Sequence, residues 1–213
     1  MKVALSIGHS TKDSGAVSYH NGITYKEYDL NKALFNEIVR LKLENGHWWQ
    51  SDYNCDDLPY PQHLNRTIKN INESDCACCI EIHHNSVTNN LVFGGMAIHW
   101  DTSVKGKLLS DYIAIHMGFM PLFGFEGFKI WWRTKQHKYY KAGSIPTLKH
   151  IKRRLAFLRP QSEGGTRLPA CIIEPGFMSH YEELMFCIER RKQIAMAIRD
   201  GVDMWLSQMS GDD

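Results

Sequence analysis

The chain lacks any apolar run of the roughly 18 residues that a membrane-crossing helix needs, so no membrane span is expected. Its first apolar stretch, Val3 to Ile7 before Gly8, is too short for a secretory h-region. The expectation is a protein made in the cytoplasm without a signal peptide. Internal repeats are missing, and so is any Pro/Gly/Ser-rich linker. At 213 residues the simplest organisation is one domain over 1–213 with no appended module and a substantial core. A disulfide framework is also missing. Three of the six cysteines crowd into Cys76–Cys79, which suits folding in a reducing cytosol.

Acid is scarce in one long segment. From Lys129 to Arg167 there are 11 Lys or Arg and one acid, Glu163, a net charge of +10. The whole chain carries only +2, so the remainder carries −8. This basic, insertion-like segment, about 127–167, also holds Trp131, Trp132, Tyr139 and Tyr140. Such a block could attract an anionic polymer, and equally it could be a solvated lysine-rich face. Nothing else in the chain suggests a nucleic-acid fold, so no nucleic-acid partner is expected.

What is present has the balance of a soluble globular protein, 43% hydrophobic and 23% charged. Lys2–Ile7 reads as a buried first strand stopped by Gly8, and Gly8–His20 as a polar loop. Tyr25–Glu44 has helical spacing, with Leu30, Ala33, Leu34, Ile38 and Leu41 on one stripe. His47–Tyr53 is a second strand and His63–Glu73 a short helix. Cys76–His83 reads as a strand buried on both faces, and Gly94–Trp100 as another. Ser103–Met117 is a helix, Leu155–Leu158 a short strand, and Pro169–Glu174 a buried strand closed by Pro175-Gly176. Tyr181–Met209 is one amphipathic helix. The alternation predicts a single α/β domain: a mostly parallel sheet with helices on both faces.

Four residues hold comparable places in this order. His9 follows the first strand, Glu27 opens a helix, and His83 and Glu174 end strands. If those strands run parallel, their carboxyl ends share one edge of the sheet, where α/β proteins place their chemistry. Two imidazoles and a carboxylate are a known catalytic zinc set with an open fourth position. A second carboxylate could then move protons in the hydrolysis of an amide. Spacing alone leaves other choices, since the chain has 11 histidines and 23 acids.

The motifs narrow the choice. They are Gly8-His9-Ser10, Asp13–Val17, Lys26–Asn31, Leu64-Asn65-Arg66, Glu81–Ser86, Gly94-Gly95 and Pro169–Phe177. In this order they resemble the zinc-dependent N-acetylmuramoyl-L-alanine amidases of the amidase_3 type, from Lys2 to about Leu206. The resemblance implies one zinc per chain held by His9, Glu27 and His83, with Glu174 as catalytic acid/base. It implies a roughly six-stranded mixed sheet and cleavage of the amide between N-acetylmuramic acid and L-alanine in peptidoglycan. A single catalytic domain without a separate cell-wall-binding domain would act on the wall, and the basic segment 129–167 could contact anionic envelope polymers. The Glu81-Ile82-His83-x-Asn85 form is most similar to phage lysis amidases. The alternatives are a zinc peptidase cutting the stem peptide, or a non-catalytic wall-binding module.

This chain departs from the family pattern in places. Ser10-Thr11 stand where Gly-Gly is usual, and Asn70-Ile71 where Ala-Asn is usual. His84 follows His83 directly, and strand alternation turns it away from the metal. Asn85 is a candidate for substrate contact but more simply shapes the loop after the strand. Cys76, Cys78, Cys79 and Cys171 read as small core residues. Trp48-Trp49 and Trp131-Trp132 could stack on sugars, and His99, His116 and His137 have no assigned partner.

Overall fold

Val3 to Ile7 are each almost wholly shielded from solvent, and so are Cys78 to Ile82 and Ala170 to Ile173. Such runs cannot be amphipathic. They form the centre of a sheet covered on both faces. The computed structural model describes residues 1–52, 57–88, 94–119, 143–146 and 155–211. Within these the strands are β1 (Lys2–Ile7), β2 (Val17–His20), β3 (Ile23–Lys26), β4 (His47–Gln50), β5 (Cys78–Ile82), β6 (Met96–His99), β7 (Gly143–Pro146) and β8 (Ala170–Glu174). The helices are α1 (Glu27–Val39), α2 (Tyr60–Glu73), α3 (Val104–Phe119), α4 (Tyr181–Glu189) and α5 (Arg191–Ser210).

Six strands form one sheet in the order β4-β1-β5-β8-β6-β7. The first four run parallel, while β6 runs antiparallel to β8 and carries β7 parallel to itself. The expected mixed, mostly parallel six-stranded α/β sheet is therefore what forms. Alternation along the strands divides the core in two. Val3, Leu5, Ile7, Ile80, Ile82 and Ile173 pack with α1, α3 and α5 on one face. Ala4, Cys79 and Ile172 pack with Leu64, Ile68 and Ile71 of α2 on the other, together with Phe157 and Leu158. Each such Leu or Ile, fully buried, contributes about 1.5–3 kcal/mol. The cysteines Cys76, Cys78, Cys79, Cys171 and Cys187 are free and buried, as core residues.

Several boundaries differ from expectation. The polar loop expected over Gly8–His20 ends in a hairpin, β2–β3, turning at Asn21 (φ 51°) and Gly22 (φ 81°). Two residues with positive φ make the tight turn that suits a twisted hairpin. The first helix starts at Glu27 because Tyr25 and Lys26 pair in β3. Leu155–Leu158 is not a strand. It contains a 3-10 turn, Ala156–Leu158, that buries Phe157 and Leu158. The C-terminal helix is two helices, broken at Arg190 (φ −100°, ψ 16°). Among the described residues no helix is long and apolar enough to cross a membrane. Trp131, Trp132, His137, Tyr139, Tyr140, Lys152, Arg153 and Arg154 of the basic segment lie outside the described residues.

Candidate active site

The four parallel strands end on one edge, and β6 begins there, since Met96 pairs with Glu174. β1 delivers His9 through Gly8, whose N–H donates to Ile82 O at 2.8 Å. His9 takes a left-handed backbone, φ 69°. That uncommon conformation for a non-glycine residue turns the chain back over the sheet edge. Glu27 is the first residue of α1, where the helix dipole favours a carboxylate. The hairpin sets its place: its amide donates to Ala16 O at 2.9 Å, and Oε2 accepts from Ala16 N–H at 3.0 Å. β5 delivers His83, whose amide donates to Ile173 O at 2.9 Å.

These three converge. One donor atom from each of His9, Glu27 and His83 lies within 4.8 Å of the others. Glu27 Oε2 is 3.2 Å from His9 Nε2, and Oε1 is 2.9 Å from His83 Nδ1. Burial alone would raise the Glu27 carboxyl. Hydrogen bonds from His83 and His9 outweigh it and hold the carboxyl well below its ordinary range. Gly8 and Gly15 leave room for the rings. A Cβ on Gly8 would stand 2.4 Å from His83 Nε2, and one on Gly15 2.5 Å from His9 Cδ2.

Glu174 ends β8. Burial raises its carboxyl to about 7; Glu27 adds to that rise, whereas His83 and a hydrogen bond from Asn85 oppose it. Asn85 Nδ2 donates to Glu174 Oε2 at 2.6 Å. So Asn85, read from sequence as shaping the loop after the strand and as a candidate for substrate contact, also braces the candidate acid/base. His84 faces away from the triad and is buried. Its Nδ1 meets Asn31 Oδ1 at 2.8 Å, and Asn31 Nδ2 donates to Gly8 O at 3.0 Å. Ser10 Oγ donates to Leu58 O at 2.5 Å, so the residue standing where glycine is usual anchors the first loop.

Three residues escaped the sequence reading. Tyr60 stacks on His9 with centroids 4.4 Å apart. Asn31 sits one helical turn after Glu27, a spacing that could have flagged it. Glu81 is 1% exposed and places Oε2 3.1 Å from His83 Nε2. Its position two before His83 on one strand was the available signal, since such residues share a face.

The donor set suits a divalent metal. Two imidazoles and a carboxylate leave a position for water or substrate. Three buried or half-buried carboxylates, Glu27, Glu81 and Glu174, face two histidines, so the site gathers negative charge that a dication would balance. Tyr60 registers that charge: burial first, then the carboxylates of Glu81, Glu27 and Asp13, push its phenol well above the ordinary value. Fold and site together define an α/β domain with a candidate metal site at the carboxyl ends of its parallel strands.

The family follows from the whole chain. The Amidase_3 model, N-acetylmuramoyl-L-alanine amidase, matches residues 3–204, and the chain belongs to that family. Its enzyme class is that of the N-acetylmuramoyl-L-alanine amidases, which act on peptidoglycan. No curated protein matches it in sequence. Its fold is similar to that of the CwlD amidase from Clostridioides difficile, solved with the GerS lipoprotein. The TM-score is 0.68 at 20% identity, over 97% of this chain and 98% of that one. The catalytic domain of CwlV from Bacillus (Paenibacillus) polymyxa var. colistinus gives 0.68 at 20% identity, over 97% and 99%. The catalytic domain of the CD27L endolysin, which targets Clostridia difficile, gives 0.64 at 20%, over 95% and 96%. At such identities the likeness is one of fold.

Proposed function

We propose that the protein is a zinc-dependent enzyme that hydrolyses the amide between N-acetylmuramic acid and L-alanine in peptidoglycan. The observation that carries this reading is the convergence of His9, Glu27 and His83 beside Glu174, in a chain of the Amidase_3 family. His9, Glu27 and His83 would hold one zinc. When bound, zinc supplies a Lewis acid and brings the pKa of water near 7.

The chain's own groups do the rest. Glu174, held near neutrality by burial, takes the proton of the attacking water as base. It then returns that proton to the amine of the departing L-alanine. Asn85 keeps Glu174 Oε2 fixed through its amide donor. Glu27 stays ionised across the working range because His83 and His9 bond to its carboxylate. Tyr60 covers the His9 ring and narrows water's access to it.

Cell-wall lysis of the phage endolysin kind is part of this proposal. It draws support from the Glu81-Ile82-His83-x-Asn85 motif and the fold likeness to the CD27L catalytic domain. The protein would be made in the cytoplasm and reach the wall at lysis, with the basic segment 129–167 contacting anionic envelope polymers.

The test is zinc content together with turbidity loss of purified cell walls, with and without chelator, and mass analysis of the products. Free muramyl glycan with intact stem peptides is expected. Cleavage inside the stem peptide would replace the amidase by a peptidase. Glu174→Ala is expected to keep zinc and lose lysis; full lysis by that variant sinks the mechanism.

A further inference from the structure

Glu81 has no role in the mechanism proposed above, yet its placement is unusual. It lies on β5 between β1 and β8, in register with Ser6 and Ile172, and is 1% exposed. An ionised carboxylate taken so far from water is costly unless it is paired. Its Oε1 has no hydrogen-bond partner, and its Oε2 lies 3.1 Å from His83 Nε2. So whatever offsets its burial runs through one ring nitrogen of His83.

That nitrogen is the one turned away from Glu27. His83 Nδ1 faces Glu27 Oε1 at 2.9 Å, and Glu27 Oε2 in turn lies 3.2 Å from His9 Nε2, so Nδ1 is the nitrogen on the side of the other two candidate ligands. A neutral imidazole has one lone pair and one N–H, and the partner of the N–H decides which nitrogen can bind metal. A carboxylate behind the ring fixes the tautomer and the ring plane and makes the ligating nitrogen more basic. His9 has no such device, because its Nδ1 is buried without a partner.

We propose that Glu81 is a positioning residue: its carboxylate holds the Nε2 proton of His83 and commits the Nδ1 lone pair to the metal site. This rests on the metal-site reading above. It assigns a role to the residue two before the ligand histidine, where an acid is otherwise a liability in a central strand. The structural alternative, a carboxylate that merely fills space, predicts no effect on the His83 ring.

The test uses the full chain with zinc alone as probe, and compares wild type with Glu81→Ala and the isosteric Glu81→Gln. Zinc affinity is read by competition with a chromophoric chelator, and the His83 ring nitrogens by NMR. Glu81→Ala is expected to weaken zinc binding about 10- to 100-fold, the usual effect of removing such a partner. Glu81→Gln, whose amide carbonyl still accepts from Nε2–H, is expected to weaken it severalfold. With zinc bound, wild-type His83 should show a metal-bound Nδ1 and a slowly exchanging Nε2 proton that Glu81→Ala lets exchange fast. Should Glu81→Ala fail to fold, wild-type affinity in Glu81→Gln with unchanged exchange overturns the proposal. Ligation through Nε2 overturns it as well, and so does a zinc affinity within twofold of wild type in Glu81→Ala. If the wild type takes up no zinc, the metal-site reading fails by itself. The metal-free spectra still judge Glu81, and a Nε2 proton exchanging equally fast with and without the carboxylate refutes its role.

Discussion

Gly8→Ala tests the geometry of the site with one methyl group. Gly8 sits between the end of β1 and His9, and its φ lies outside the left-handed region, so alanine meets no backbone strain there. The added Cβ would stand 2.4 Å from Cε1 and Nε2 of His83 and 2.6 Å from Nδ1. Ordinary contact begins near 3.4 Å, so the ring must retreat by about 1 Å. It cannot do so and keep both Glu27 Oε1 at 2.9 Å and Glu81 Oε2 at 3.1 Å. A misplacement of about 1 Å in a reacting constellation costs on the order of 100-fold in rate. Overpacking adds roughly 1–3 kcal/mol of destabilisation. For a chain of this length that lowers the melting temperature by about 2–12 °C, so the variant should still fold. Zinc content by elemental analysis and turbidity loss of cell walls are the assays. A folded Gly8→Ala protein with full zinc and more than half of wild-type activity would refute the geometry of the His83 site.

The other predictions touch the neighbours of the site. Asn85→Ala removes a donor that favours ionised Glu174, so the carboxyl should rise further above about 7. A base must be ionised to act, so the acid limb of the rate profile should move to higher pH; an unmoved limb counts against Glu174 as base. His84 is buried and depressed to about 4, burial being the main cause, against an unfolded value of 6.5. Its contribution is therefore whole above pH 6.5 and is lost as pH falls toward 4, roughly 3 kcal/mol in all. Urea unfolding at pH 7 and pH 4.5 should show that loss in the wild type and less of it in His84→Asn; equal losses contradict the assignment. Charge reversal at Lys152, Arg153 and Arg154 should weaken binding to cell walls and reduce its salt dependence, and unchanged binding removes the targeting role.

Much of this was legible because the strands are so deeply buried. Continuous apolar runs in β1, β5 and β8 named the sheet's centre; β8 ends in a site residue, β5 one step short of one and β1 two steps short. The reversal of β6 was not legible, since a strand of four buried residues reads alike in either direction. The hairpin was missed although Asn21-Gly22 is a strong turn signal. Its strands are short, with Val17 and Ile23 more than half exposed, and give no clean alternation. The break at Arg190 has no proline or glycine to announce it. His84 was turned correctly by strand alternation, but its bond to Asn31 joins segments 53 residues apart and exists only in the fold. The same alternation puts Glu81 on one face with His83, but only the fold shows that its buried carboxylate meets that ring.

If the proposed zinc binds, the charges of the site should couple its binding to proton release. Burial would lower the His83 imidazole, but the charge of Glu81 and the hydrogen bonds to Glu27 and Glu81 raise it well above its ordinary value. Without metal the ring therefore holds a proton more tightly than a free imidazole does, with one ring nitrogen toward each carboxylate. Its hydrogen bond helps keep Glu27 ionised in a shielded place. With Nδ1 as the proposed ligand atom, its lone pair would have to be free, so zinc binding would release the proton between Nδ1 and Glu27 while the one between Nε2 and Glu81 stays. The expectation is release of about one proton per zinc at pH 7. Calorimetric titrations in buffers of different ionisation enthalpy measure it directly, because the apparent heat then changes in proportion to the protons released. Glu81→Gln removes the first of the influences that raise His83, so its release at pH 7 should fall below that of the wild type. A binding heat that is independent of buffer in the wild type would mean that His83 is already neutral, and that the carboxylates are balanced by something other than its ring.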